Sequence, residues 1–100
     1  MSIEQSIVRQ AVEQFGEHKQ KLKAISELAE LIDALAKNAI DGRSNDDDVI
    51  DEMVDAQIML WQLKTMYCND KFCERLQFKL ERLKKMVDQA KELTDSAMVR

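Results

Sequence analysis

The sequence predicts an all-α protein, a helical bundle of about four helices whose core is completed by dimerisation or tetramerisation. Three observations point there. Two Gly and no Pro in 100 residues leave few places for the chain to turn or break. Apolar residues recur at helical spacing, and charged residues, 34% of the total, fill the positions between them. The segment from Met53 to Leu63 is apolar nearly all round, which predicts burial on most sides and, in so small a chain, burial partly against a second copy. One hundred residues are expected to form a single domain, 1–100.

The first helix is predicted from Ile3, Ile7, Val8, Ala11, Val12 and Phe15, which share one helix face and end near Gly16. The second runs from about Glu17 to Ala39. Its expected buried stripe is Leu22, Ile25, Leu28, Ala29, Ile32, Leu35 and Ala36, with Gly42 beyond its end as a left-handed residue. Asp41 to Asn45 is a short polar connection, so the second and third helices must lie antiparallel and side by side. Asp46, Asp47, Asp48 and Asp51 open the third helix, where carboxylates complement the unpaired N–H groups and the dipole. Tyr67 to Asp70 is a break, with Asn69 or Asp70 as the cap of a fourth helix over about Lys71 to Thr94. Phe72, Leu76, Leu80, Leu83, Val87 and Ala90 form its apolar line, read as an intramolecular or dimer core.

A net charge of −4, with no basic aromatic stripe, argues against nucleic-acid binding. The charge is uneven. Residues 1–63 carry six basic and thirteen acidic residues, and residues 64–100 carry nine and six. The acidic part is suited to a metal and the basic part to an anion, although a salt-bridged surface gives the same totals. Cys68 and Cys73 fit no zinc or redox spacing and are expected to be reduced packing residues. With no apolar run of signal-peptide or membrane-spanning length, a cytoplasmic location is expected, with no membrane partner.

Glu52 and Asp55 lie inside the apolar third helix, too far from its start to act as caps. Two carboxylates in such surroundings repel one another and lose hydration, and a divalent cation compensates both. Glu27 and Glu30 repeat the spacing on the second helix, and the antiparallel hairpin, in a suitable register, places the two pairs near one another. Magnesium takes hard oxygen ligands and completes its shell with water and substrate phosphates, with Mn²⁺ as a substitute. Four such carboxylates suit one ion, or two to three bridged by a polyphosphate. Taken alone, Glu27 and Glu30 read better as a solvated face paired with Lys23, whereas the apolar setting of Glu52 and Asp55 favours function. Arg75, Lys79 and Arg82 form a basic stripe able to grip phosphate oxygens, but on spacing alone they read as a solvated face balanced by Glu74, Glu81 and Asp88. His18 reads as a surface or helix-start residue, and Trp61, Phe72 and Phe78 as core.

Phe15-Gly16, Gln20-x-x-Lys23-x-x-x-Glu27-Leu-Ala-Glu30-Leu31, Asp51-Glu52-x-x-Asp55 and Lys79-Leu-Glu-Arg82-Leu83 together resemble the MazG-like nucleoside triphosphate pyrophosphohydrolases, within the all-α NTP pyrophosphatase superfamily. The resemblance covers about residues 12 to 87. It implies Mg²⁺-dependent hydrolysis of an NTP or dNTP between the α- and β-phosphates, in a homodimer or homotetramer whose subunits share the pocket. By position it implies that Glu27, Glu30, Glu52 and Asp55 are metal ligands and serve catalysis, and that Lys79 and Arg82 bind phosphate. It assigns Gln20 and Lys23 to nucleotide contacts or to the surroundings of the metal ligands. Ser26 stands where many members have an acid, and Phe15 where many have Trp.

Two rival classes are a non-catalytic helical module that binds a nucleotide or a protein, and a di-iron carboxylate bundle. The second needs two Glu-x-x-His motifs, and the sole histidine, His18, has Phe15 three residues before it.

Overall fold

The computed structural model describes residues 2–67 and 70–99, and among them every regular element is a helix. The protein is all-α, with four helices: α1 (Ile3–Phe15), α2 (Glu17–Ala39), α3 (Asp46–Tyr67) and α4 (Asp70–Val99). They fall into two compact units, residues 1–67 and 68–100. No described helix is long and apolar enough to cross a membrane.

In the first unit, α1, α2 and α3 pack on one another as a three-helix bundle. Ser2 and Gln5 form a reciprocal capping box at the start of α1: the Gln5 N–H donates to Ser2 Oγ at 3.1 Å, and the Ser2 N–H to Gln5 Oε1 at 3.0 Å. Gly16 is both the last cap of α1 and the first of α2. Its φ of 90° and ψ of 149° are open in practice only to glycine, so α1 gives way to α2 there without a loop. Gly42 has φ 68°, the left-handed conformation expected after α2. The connection from α2 to α3 is tied down by side-chain amides. Asn38 Nδ2 donates to Asn45 Oδ1 at 3.1 Å and to Asp46 Oδ1 at 2.8 Å, and Asn45 Nδ2 donates to the Ala34 carbonyl at 3.2 Å.

The buried face of α2 follows the predicted apolar stripe only in part. Leu28 and Ala36 are half-buried, but Leu22, Ile25, Ala29, Ile32 and Leu35 are exposed, and the fully buried residues of α2 are Gln20, Ala24 and Ala34. On α3 the buried residues are Ala56, Met59 and Gln62. Val54, Ile58, Leu60 and Trp61 stay exposed, so within one chain α3 is not covered on most sides. Small side chains explain the choice, since alanines let two backbones approach and the bulkier residues then turn outward. On α1, Val8 is buried and Ala11 and Val12 half-buried, while Ile3, Ile7 and Phe15 remain exposed.

The second unit is α4, which begins at Asp70 and runs five residues past the expected end at Thr94. Its apolar line, Phe72, Leu76, Leu80, Leu83 and Val87, is exposed, as is Phe78. The aromatic residues expected in a core, Trp61, Phe72 and Phe78, are therefore at the surface of the single chain. Cys73 is exposed as well, not a packing residue, and Cys68 and Asn69 lie outside the described residues.

Candidate metal centre

The short connection sets α2 and α3 antiparallel, and this brings two carboxylate pairs together midway along the hairpin. Glu27, Glu52 and Asp55 each offer one oxygen within 4.8 Å of the others. Oxygens about 2.0–2.6 Å from a shared hard cation lie at such separations from one another. Glu27 and Glu52 are half-buried, and Asp55 is exposed. Glu30, also exposed, falls outside that three-oxygen group, yet its carboxyl is near enough to share a proton with Glu27 and with Glu52.

Oε2 of Glu27 and Oε2 of Glu52 are shut off from solvent, and neither has a hydrogen-bond partner. A shielded carboxylate oxygen without a donor loses its hydration and receives nothing in return. The electrostatics agree. Burial pushes the Glu27 carboxyl above its usual range, helped by hydrogen bonding and charge from Glu30 and by the charge of Asp55, with Lys23 opposing. Burial likewise raises Glu52, followed by the charges of Glu30 and Asp55, a hydrogen bond with Glu30 and the charge of Glu27. Each carboxyl is short of positive charge. An all-oxygen donor set with shielded, unpartnered oxygens fits a hard divalent cation, although clusters of exposed acids also occur without one.

The other predicted residues are placed as follows. Lys23 is exposed on α2, close enough for its charge to act on Glu27. Gln20 is buried, and its Nε2 donates to Gln62 Oε1 at 2.7 Å inside the unit, which suits a residue that positions others. On α4, Lys79 and Arg82 are exposed, and among the described residues neither has an ion-pair partner. Two of the three expected balancing acids are engaged elsewhere, with Asp88 paired to Lys84 at 2.8 Å and Glu81 accepting from Gln77 at 3.1 Å. Arg75 lies 4.9 Å from the centre of the Phe78 ring. His18 is exposed in the first turn of α2, as expected. Gln62 escapes sequence reasoning because a glutamine among Trp61, Leu63 and Met59 carries no periodic signal.

Comparison of the chain with protein-family models, with curated proteins and with solved structures finds no match.

Proposed function

We propose that this protein hydrolyses nucleoside or deoxynucleoside triphosphates at the α–β phosphate bond, in a Mg²⁺-dependent reaction that yields a monophosphate and pyrophosphate. The observation that carries this reading is the convergence of Glu27, Glu52 and Asp55 from two helices, with shielded oxygens that no donor satisfies. The order and spacing of the carboxylate and basic motifs, which resemble the MazG-like enzymes, select the substrate class.

Glu27, Glu52 and Asp55 would hold the cation, with Glu30 beside them. Bound there, Mg²⁺ or Mn²⁺ supplies neutralisation of phosphate charge and a lowered pKa for an attacking water. One of the four carboxylates, or a residue beside them, would accept the proton of the attacking water. Lys79 and Arg82 bind phosphate oxygens, Lys79 as a point charge and Arg82 by its planar fork. Lys23, whose charge acts on Glu27, would contact the nucleotide or support the metal ligands. The exposed apolar residues of α2 and α3 support assembly as a homodimer or homotetramer.

The test is a panel of NTPs and dNTPs incubated with and without Mg²⁺, with monophosphate and pyrophosphate quantified. Stoichiometric release of both products that depends on Mg²⁺ and is lost in Glu52→Gln is the expected result. Nucleotide binding without turnover on any member of the panel would instead establish a non-catalytic binding module.

A further inference from the structure

The fully buried apolar side chains of α2 and α3 are Ala24, Ala34, Ala56 and Met59, flanked by half-buried Leu28, Leu31 and Leu63. Alanine methyls meet one another acceptably in many registers, and a methionine adapts to its surroundings. Such a seam does not itself decide how far α2 slides or rotates on α3. Buried polar groups do decide it, because an amide left without a partner is costly and only certain registers pair it.

Polar contacts cross the hairpin at both ends. Besides them, Lys21 lies over the Tyr67 ring at 4.9 Å near the glutamines, and Glu30 approaches Glu52. At the loop end, Asn38 reaches Asn45 and Asp46, and Asn45 reaches back to Ala34. At the open end, Gln20 and Gln62, 4% and 5% exposed, are joined by the 2.7 Å hydrogen bond. Gln62 Nε2 is directed to Met59 Sδ at 3.6 Å, so the amide of Gln62 is used on both sides. Glu27 lies about 10 Å along α2 from Gln20 and about 16 Å from Asn38. The carboxylates thus sit between the polar contacts of the two ends, nearer the glutamines.

We infer that the buried Gln20–Gln62 hydrogen bond sets the register of α2 on α3, and that both glutamines are positioning residues holding Glu27 opposite Glu52 and Asp55. A slip of one turn at the open end separates the two amides and parts Glu27 from Glu52. The register itself is a statement about geometry alone. Its effect on cation binding rests on the function proposed above.

The experiment measures the distance between spin labels at Ser26→Cys and Gln57→Cys by pulsed electron resonance. Cys68 and Cys73 are replaced by Ser, and labelled chain is diluted with unlabelled chain. The parent is compared with Gln20→Leu/Gln62→Leu and with Gln20→Met, which keeps the side-chain volume and leaves Gln62 its contact with Met59. One narrow distance is expected in the parent and a shifted or divided distribution in both variants, with Mn²⁺ bound at least tenfold more weakly. The parent's narrow distance in both variants overturns the inference, as does a broad distribution already in the parent. If the double variant does not melt cooperatively, Gln20→Met decides by the same criterion. A shifted distance with unchanged Mn²⁺ affinity overturns the positioning role. A parent that binds no Mn²⁺ overturns the metal reading, and the spin-label distances then decide the register on their own.

Discussion

Glu27 on α2 and Glu52 on α3 meet across the hairpin, each with an Oε2 hidden from solvent and without a hydrogen-bond partner. Their carboxylates lie within 4.8 Å of one another and of Asp55. Two charges so placed stabilise nothing in the metal-free chain and become useful when a cation arrives.

Removing one of them should therefore affect binding and folding in opposite directions. Glu52→Gln relieves repulsion, so the metal-free variant is expected to melt at a higher temperature than the parent at neutral pH. Titration with Mg²⁺ should raise the melting temperature of the parent and leave the variant nearly unchanged. Turnover of the triphosphate should fall at least about a hundredfold, since even groups that merely support a metal ligand are worth 10–100-fold. Calorimetric scans with and without Mg²⁺ are the check, and a variant stabilised by Mg²⁺ as much as the parent would sink the assignment.

The pH dependence carries a definite sign. Glu27 and Glu52 have raised carboxyl pKa values in the folded chain, so the folded state holds these protons more tightly than the unfolded one. Their contribution to stability is fully present below the ordinary value of 4.5 and is lost as pH rises through the raised folded values. Metal-free protein should accordingly lose stability across that window, and Glu52→Gln should flatten the fall. Mg²⁺ affinity should run the other way, strengthening as the carboxylates deprotonate. Melting curves and Mg²⁺ titrations at a series of pH values test both slopes.

Lys79 and Arg82 differ in how they can grip a phosphate, and kinetics should separate them. Lys79→Ala is expected to lower kcat/KM by about 10–100-fold, corresponding to about 1.5–3 kcal/mol for a hydrogen bond to a charged group. Arg82→Lys keeps the charge but loses the two-pronged geometry, so most of the loss seen in Arg82→Ala should remain. Neither side chain has an ion-pair partner among the described residues, so melting temperatures should move little. Steady-state kinetics beside thermal melts would decide, and unchanged kcat/KM in both variants would remove α4 from the proposed site.

Gly16 joins α1 to α2 with φ 90° and ψ 149°. A Cβ added there meets nothing within 4 Å, so the penalty for Gly16→Ala is conformational and not steric. A loss of about 1–3 kcal/mol is expected. Chemical denaturation measures it, and a variant as stable as the parent would show that the joint adopts another conformation.

Ile25 and Ile32 lie on the exposed face of α2, 65% and 68% accessible in the single chain. If a second copy covers this face, Ile25→Glu/Ile32→Glu should dissociate the oligomer in sedimentation experiments while leaving the helix content intact. An unchanged sedimentation coefficient would place the assembly surface elsewhere.

The sequence by itself determined the all-α class and the bounds of α1 and α2, but not the end of α4. The bounds of α1 and α2 agree with the periodicity because Gly16 and Gly42 punctuate the chain, and short-range backbone chemistry is written locally. It also determined that α2 and α3 would lie side by side, since five or six connecting residues allow only such a hairpin. The register that brings Glu27 to Glu52 and Asp55 was not written in the connection. Which face of α2 would meet α3 was decided by the tertiary structure alone. The helix carries Leu22, Ile25 and Ile32 on the side left exposed, whereas Gln20, Ala24 and Ala34 face inward with half-buried Leu28 and Leu31, and hydrophobicity alone does not separate the two. Close approach across alanines, together with a hydrogen bond between residues far apart in the chain, selected the second. Neither depends on a property of one residue, and neither can be read until both helices are in place.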